Sequence, residues 1–310
     1  MSELVRELAD GLMFPEGPVA MADGSVLLVE IGRGTLTRVG PDGTVSVVAT
    51  PGGGPNGLAL GPDGHAYVCN NGGFKWTEPG DPGGYRPVAQ ADDYSGGRIE
   101  RVDLATGAVE VLYTETEKGP LKGPNDIVFD ADGGFYFTDL GKVRAREMDR
   151  GAVYYARADG SAIKELAFPL MTPNGIGLSP DGATLYVAET QTARLWAFDL
   201  VAPGKIRRQP FPSPHGGRLV AGLGGYRMFD SLAVDAEGHI CVATLVEGGI
   251  TIIAADGGAI QHVPMPDRWT TNICFGGKDL RTAFVTLSSS GRLVALPWRR
   301  PGLALNYGEQ

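Results

Sequence analysis

No apolar run of about 18 residues occurs anywhere in the 310-residue chain, so no segment reads as a membrane-spanning helix. Residues 1–10 include Glu3, Glu7 and Asp10 and no apolar stretch of signal-peptide length, which reads as a cytoplasmic protein. Long Lys/Arg runs and basic amphipathic stretches are also missing. With a net charge of −9, this argues against a nucleic-acid or anionic-membrane partner, while favouring attraction of metal cations. Cysteine is scarce and odd in number. Cys69, Cys241 and Cys274 each lie within or at the end of an apolar strand pattern, which predicts buried reduced thiols instead of a disulfide framework. No G-x-S-x-G elbow, CxxC pair, P-loop or HExxH helix is present. The triplet Gly52-Gly53-Gly54 lies between strand patterns with no helix after it, so it does not read as a phosphate loop.

What the chain does have is a repeated phrase: a polar residue opening an apolar strand, a tight turn usually rich in Asp and Gly, then a second apolar strand. Its six copies begin at Glu16, Asn56, Asn125, Asn174, Asp230 and Thr271, at intervals of 40, 69, 49, 56 and 41 residues. Those spacings suit four-stranded propeller blades with loops of unequal length. The expectation is an all-β, six-bladed β-propeller occupying residues 1–310 as a single domain. In the second copy, Asn56 to Leu60 reads as the innermost strand, Gly61-Pro62-Asp63-Gly64 as a turn and His65 to Asn70 as the next strand. Residues 97–102 and 108–112 read as outer strands whose alternating charges suggest one wet face. The last copy yields only three strands, at 271–275, 282–287 and 292–297. Residues 3–9 precede the first opener without a blade of their own, so they are expected to supply the missing strand and close the ring.

Arranged about one axis, the openers converge. Glu16, Asn125, Asn174 and Asp230 then offer two carboxylates and two amide oxygens, a donor set suited to a hard divalent cation. Calcium fits best, with Mn2+, Mg2+ or Zn2+ as other choices; zinc is disfavoured because no thiolate or imidazole shares the ring. A buried carboxylate on a propeller axis is costly without a cation, whereas Asn56 and Thr271 fit equally well as strand caps that bond a neighbouring blade. Asp126, one residue past Asn125, would point away from the axis unless the backbone is irregular at the rim. Its functional reading is supporting partner or general base. His65, His239 and His262 read as structural, and His215 as solvated on the far face. Chain direction places the long connection 71–96 on the opener face. Its Phe74, Trp76, Tyr85 and Tyr94 suggest a flap over a substrate.

Four phrases carry a resemblance: Phe14-Pro15-Glu16-Gly17-Pro18, Gly123-Pro124-Asn125-Asp126, Thr172-Pro173-Asn174-Gly175 and Thr271-Asn272-Ile273-Cys274-Phe275-Gly276-Gly277. Together, and in this order, they resemble the gluconolactonase, regucalcin and luciferin-regenerating enzyme family. Phe135-Tyr136-Phe137-Thr138-Asp139 is similar to the bacterial drug-responsive lactonases within it. The resemblance implies a six-bladed propeller with one axial divalent metal, often calcium, acting mostly on lactones. The family's Glu ligand matches Glu16, its Asn positions Asn125 and Asn174, and its Asp ligand Asp230. The expected activity is hydrolysis of a small-molecule lactone, with Asp126 or Asp230 taking a proton and Asn56, Phe74, Trp76, Tyr94, Lys122 and Arg227 around the substrate. Two departures stand out. Phe229-Asp230-Ser231 replaces the family's Pro-Asp-Gly, and Gly123 stands where sugar-lactonase members carry Arg, with Lys122 or Arg227 as substitutes. A phosphotriesterase of the diisopropyl fluorophosphatase type and a non-catalytic metal- or ligand-binding propeller are the alternatives. Oligomeric state is left open.

Overall fold

The computed structural model describes residues 5–78 and 80–308. Among these residues there are strands and no helix, and so none long and apolar enough to cross a membrane. Six antiparallel sheets form a six-bladed propeller. The innermost strands, called a here, are Pro15–Ala20, Pro55–Leu60, Pro124–Phe129, Pro173–Leu178, Met228–Val234 and Thr270–Gly276. In the last sheet Arg6–Ala9 lies outside Arg292–Pro297, pairing Arg6 with Ala295, and supplies the fourth strand. Of the closing segment read from the sequence, Glu3 and Leu4 lie outside the described residues.

The apolar core is six seams between blades. One joins Val19, Leu27 and Val29 of blade one to Leu58 and Val68 of blade two. The seam that shuts the ring joins Val26 and Leu28 to Phe284, Leu293 and Ala295, with Ala9 against it. Because each blade is sandwiched between two others, its third strand is mostly covered, and this corrects the expectation of a wet face there. In Arg98–Val102, Glu100 is 2% exposed, held by Arg98 Nε at 2.5 Å and Asn70 Nδ2 at 2.9 Å. Exposure begins at the outermost strands, such as Val109–Tyr113.

The rim that positions the openers has its own repeated chemistry. Four openers follow a buried proline, Pro15, Pro55, Pro124 or Pro173, at the first strand position, where the missing N–H costs no ladder bond. The loop before each is clamped by the side chain that ends the second strand of the same blade. Met13 N–H donates to Glu30 (2.7 Å), Gly54 N–H to Asn70 (2.9 Å), Lys122 and Gly123 N–H to Asp139 (both 2.7 Å), and Met171 N–H to Glu189 (2.7 Å). These buried polar groups are thereby satisfied and the openers held in place.

His215 is buried at 3% exposure. Its ring packs edge-on against Trp196 at 4.5 Å and against Phe198 at 5.4 Å, and Gly217 N–H donates to Nδ1 at 3.3 Å. This corrects the solvated reading. The segment between Lys205–Arg207 and Arg218–Gly222, both of which pair with Arg194–Ala202, folds back over that strand. Cys69, Cys241 and Cys274 are free and buried, as their strand positions required.

Candidate active site

Every innermost strand changes register at its opener: between Glu16 and Val19, Pro55 and Leu58, Pro124 and Ile127, Pro173 and Ile176, Phe229 and Leu232, and Thr270 and Asn272. Such bulges turn two consecutive side chains away from strict alternation. The residue after each opener is therefore also near the axis. In three blades that residue is glycine, and at Gly57 an added Cβ would lie 2.4 Å from Asn125 O and 2.6 Å from Asp126 Cα. The neighbouring blade thus approaches where a side chain is missing. In the other three blades it is Asp126, Ser231 or Asn272, and each contributes a polar side chain to the axis.

On the opener face lies a cavity of about 250 Å³ whose lining includes Glu16, Asn56, Asn125, Asn174, Asp230 and Phe74. The structure thus gathers the four proposed cation ligands in one cavity with Asn56 and Phe74. Among the described residues, Glu16 and Asp230 are its only charged lining residues, and most of the remainder is apolar, including Ile31, Val88, Leu140, Met228 and Trp269. Thr172 and Phe14, which also line it, have φ of 50° and 56°, left-handed values that bulky or β-branched residues hold only under constraint. Asp126 lies on the other side of the ring, lining a cavity of about 530 Å³ that opens toward the far face.

The three axial carboxylates share one electrostatic problem. Burial raises Glu16 to about 7, opposed chiefly by hydrogen bonds from Asn272 and Gly17. Burial also raises Asp126 to about 7, with the charge of Glu16 adding to it, against N–H donors from Ile127 (2.9 Å) and Ile176 (3.3 Å). Asp230 is pushed well above the usual carboxylate range by burial and then by the charges of Glu16 and Asp126, while Asn174 opposes the shift. Mutually repelling carboxylates in a dry site call for a positive partner. Asn174 Nδ2 donates to Thr190 at 3.1 Å, which leaves its Oδ1 to the axis, and Ser231 Oγ lies 3.4 Å from that oxygen. Asn125 Oδ1 is buried and meets no hydrogen-bond donor. Among the described residues no three or more His, Cys, Asp or Glu side chains form a metal-holding group by themselves, so the amide oxygens must belong to any cation site. The orphaned oxygen of Asn125 beside repelling carboxylates fits a hard cation.

The remaining sequence-derived candidates are dispersed. Trp76 stacks on Tyr85 at 4.6 Å and packs on Phe14 at 5.1 Å, behind the lining. Tyr94 donates its hydroxyl to Lys122 O at 2.6 Å. Arg227 is paired with exposed Glu247. None of Trp76, Tyr94, Lys122 and Arg227 lines the opener cavity. Thr271, taken as the sixth opener, bonds sideways to Thr286 and Ser288, and Asn272 is the residue that reaches Glu16. Sequence reasoning missed Asn272, Ser231, Trp269 and Lys142. The first two were discoverable as the non-glycine residues after an opener; the others carry no local pattern. Of the connection 71–96, Phe74, Pro87, Val88 and Ala89 line the opener cavity. Phe74–Trp76 pairs with Pro87–Gln90 as a hairpin, and the Trp269 indole N–H donates to Gly83 O at 2.9 Å, tying the flap tip to the last blade.

Residues 14–289 match the family profile described as the SMP-30/Gluconolactonase/LRE-like region. A gluconolactonase of Zymomonas mobilis is 27% identical over 93% of this chain and 80% of its own length. Lactonase drp35 of Staphylococcus saprophyticus is 29% identical over 82% of this chain and 70% of its own. The crystal structure of a calcium-binding protein, regucalcin, from Agrobacterium tumefaciens superposes with a TM-score of 0.73 at 23% identity, covering 97% of both chains, a likeness of fold.

Proposed function

The chain belongs to the SMP-30/gluconolactonase/LRE-like family, and on that premise we propose that it hydrolyses small lactones with a divalent cation, calcium first, at the propeller axis. The observation that carries this reading is the buried Asn125 Oδ1 without a donor, in one cavity with Glu16, Asn174 and Asp230. Those four residues would hold the cation, with Mn2+, Mg2+ or Zn2+ as the other candidates. When bound, it supplies Lewis-acid polarisation of the lactone carbonyl. The protein's own groups do the rest. Water adds to the carbonyl carbon, its proton passes to Asp230, the one of the two candidate acceptors Asp230 and Asp126 that lines the opener cavity, the ring C–O bond breaks, and the proton returns to the departing oxygen to give a hydroxy acid. Burial and like charge raise both carboxyls, Asp126 to about 7 and Asp230 well above its ordinary range, which makes each a readier proton acceptor.

The lining supports a substrate with an apolar ring or substituent. Phe74, Val88, Leu140, Met228 and Trp269 present carbon, and among the described residues no Arg, Lys or His lines the cavity to bind ring hydroxyls. Lys122 and Arg227 serve in this reading at the rim, where they meet substrate only on approach. The deciding experiment is a pH-indicator hydrolysis screen over sugar, alkyl and aryl lactones and phosphotriesters, with calcium, manganese, zinc or chelator. Calcium-dependent turnover of alkyl or aryl lactones is expected. Turnover of phosphotriesters alone would replace the reading with a phosphotriesterase, and cation binding with no turnover would make the protein a binding propeller.

A further inference from the structure

Between the second and third strands of blade three, residues 140–150 carry a lysine that no sequence pattern singled out. Lys142 is 1% exposed, so its ammonium has left water. Nζ donates to Asn71 Oδ1 at 3.1 Å and to Gly73 O at 2.9 Å, and it lies 4.2 Å from the ring centre of Phe74 and 5.2 Å from that of Tyr94. All four partners belong to the flap, three at its start and one at its end. Burial pulls the Lys142 amine down to about 7, opposed by the charges of Asp139 and Asp149, while its direct contacts are neutral oxygens and ring faces, a costly choice where a methionine would fill the same space. What the lysine adds is direction, because its donors fix the start of the flap to a different blade while its Nζ also faces the Tyr94 ring at the flap's end.

The same connection grips the flap twice more. Gln90 N–H donates to Val143 O at 2.9 Å, and Arg144 Nη1 reaches Gln90 Oε1 at 3.3 Å. Leu140 and Val143, on either side of Lys142, line the opener cavity together with Phe74, Pro87, Val88 and Ala89. Two walls that are far apart in the chain therefore meet at the lysine.

We propose that Lys142 is a positioning residue for substrate selection: it latches the flap to blade three so that Phe74 and Val88 form a fixed apolar wall against the lactone's substituent. The specificity half of this rests on the lactone reading above, and the latch half does not. Lys142→Met keeps the volume and removes the donors, and Lys142→Arg keeps the charge. With Lys142→Met, KM for an aryl lactone should rise by about tenfold, the loss expected for a charge-assisted anchor, with kcat and calcium affinity within about twofold. KM for unsubstituted δ-valerolactone should stay unchanged, and Lys142→Arg should recover part of the loss. Amide hydrogen exchange over residues 72–95 should accelerate in Lys142→Met and not in the wild type or in Lys142→Arg.

Exchange is read without substrate, so it decides the latch even if no lactone is turned over. Unchanged exchange in a folded Lys142→Met protein overturns the latch. Faster exchange with an unchanged ratio of KM values overturns the role in selection, and an equal fall in kcat on every lactone would place the lysine in the chemistry instead. If Lys142→Met does not fold, Asn71→Ala, which removes the buried oxygen that accepts from Lys142 Nζ and from Gly73 N–H, is measured in its place against the same outcomes.

Discussion

The side-chain amide of Asn272, in the last blade, donates to Glu16 Oε2, in the first, at 2.7 Å. Asn272 Oδ1 is meanwhile fixed by the N–H of Ile273 at 2.8 Å, so the amide has one orientation. A residue 256 positions away thereby aims the Glu16 carboxylate and favours its ionised form. Replacing Asn272 with Ala should weaken calcium binding by roughly 10–100-fold, the usual effect of losing a group that orients a metal ligand. Calorimetric titration of the metal-free variant checks this, and unchanged affinity would show that Glu16 needs no such support.

Neutralising an axial carboxylate should separate activity from stability. Glu16→Gln and Asp230→Asn are each expected to lower kcat/KM on the order of a hundredfold or more. In chelator both should melt at or above the wild-type temperature, because each removes one of the charges that repel at the axis. A variant with full activity would dismiss the ligand assignment, and a large loss of stability in chelator would dismiss the electrostatic account. Comparing pH profiles of Asp126→Asn and Asp230→Asn identifies the proton acceptor, since loss of that group removes the acid limb.

The metal-free protein should lose stability as pH rises from about 4 to about 7. Glu16 and Asp126 ordinarily titrate at 4.5 and 3.8 and are raised to about 7 in the folded state. Within that window the folded chain holds protons that the unfolded chain has released, so the slope of unfolding free energy with pH is negative. The penalty is absent below the unfolded values and complete above the folded ones. Calcium should flatten the slope, and the gain in Tm from calcium should be greater near pH 8 than near pH 5, since cation and proton compete for the same oxygens. Thermal melts with calcium or chelator across pH test this; a Tm in chelator that rises over the window contradicts it.

Removing residues 1–9 should expose the edge of Arg292–Pro297 and uncover Leu293 and Ala295, against which Ala9 packs. A Tm lower by roughly 10 °C is expected, corresponding to a few kcal/mol in a domain of this size, together with self-association by size-exclusion chromatography. A monomeric deletion variant as heat-stable as the full chain would show that three strands suffice for blade six.

Much of this was open to a reader of the sequence because propeller blades are local objects. Within one repeat the strands pair with their sequence neighbours, so apolar spacing and Asp-Gly turns fix strand positions to within a residue or two, as at Ala66–Asn70 and Arg98–Val102. The openers were legible for the same reason, since equivalent positions in repeats occupy equivalent places about an axis. Counting gives the six openers and residue type narrows them to Glu16, Asn125, Asn174 and Asp230, while the orphan strand Arg6–Ala9 follows from the three-stranded last repeat.

What tertiary structure decided lies where the period-two rule breaks or where distant loops meet. Strict alternation turns Asp126 and Asn272 outward; the bulge at each opener turns them to the axis, and a bulge leaves no mark on composition. His215 is polar and flanked by Pro214 and Gly216, which reads as surface, yet the chain folds it onto Trp196. Trp269 and Lys142 meet the flap from blades that are far from it in sequence, and no local periodicity encodes contacts across 186 or 71 residues. The sequence determined the blades and the residues that face one another around the ring, because those depend on repetition. The folded chain alone decided which charges repel, which oxygen is left without a donor and which residue holds the flap, because those depend on distances closed only when the ring shuts.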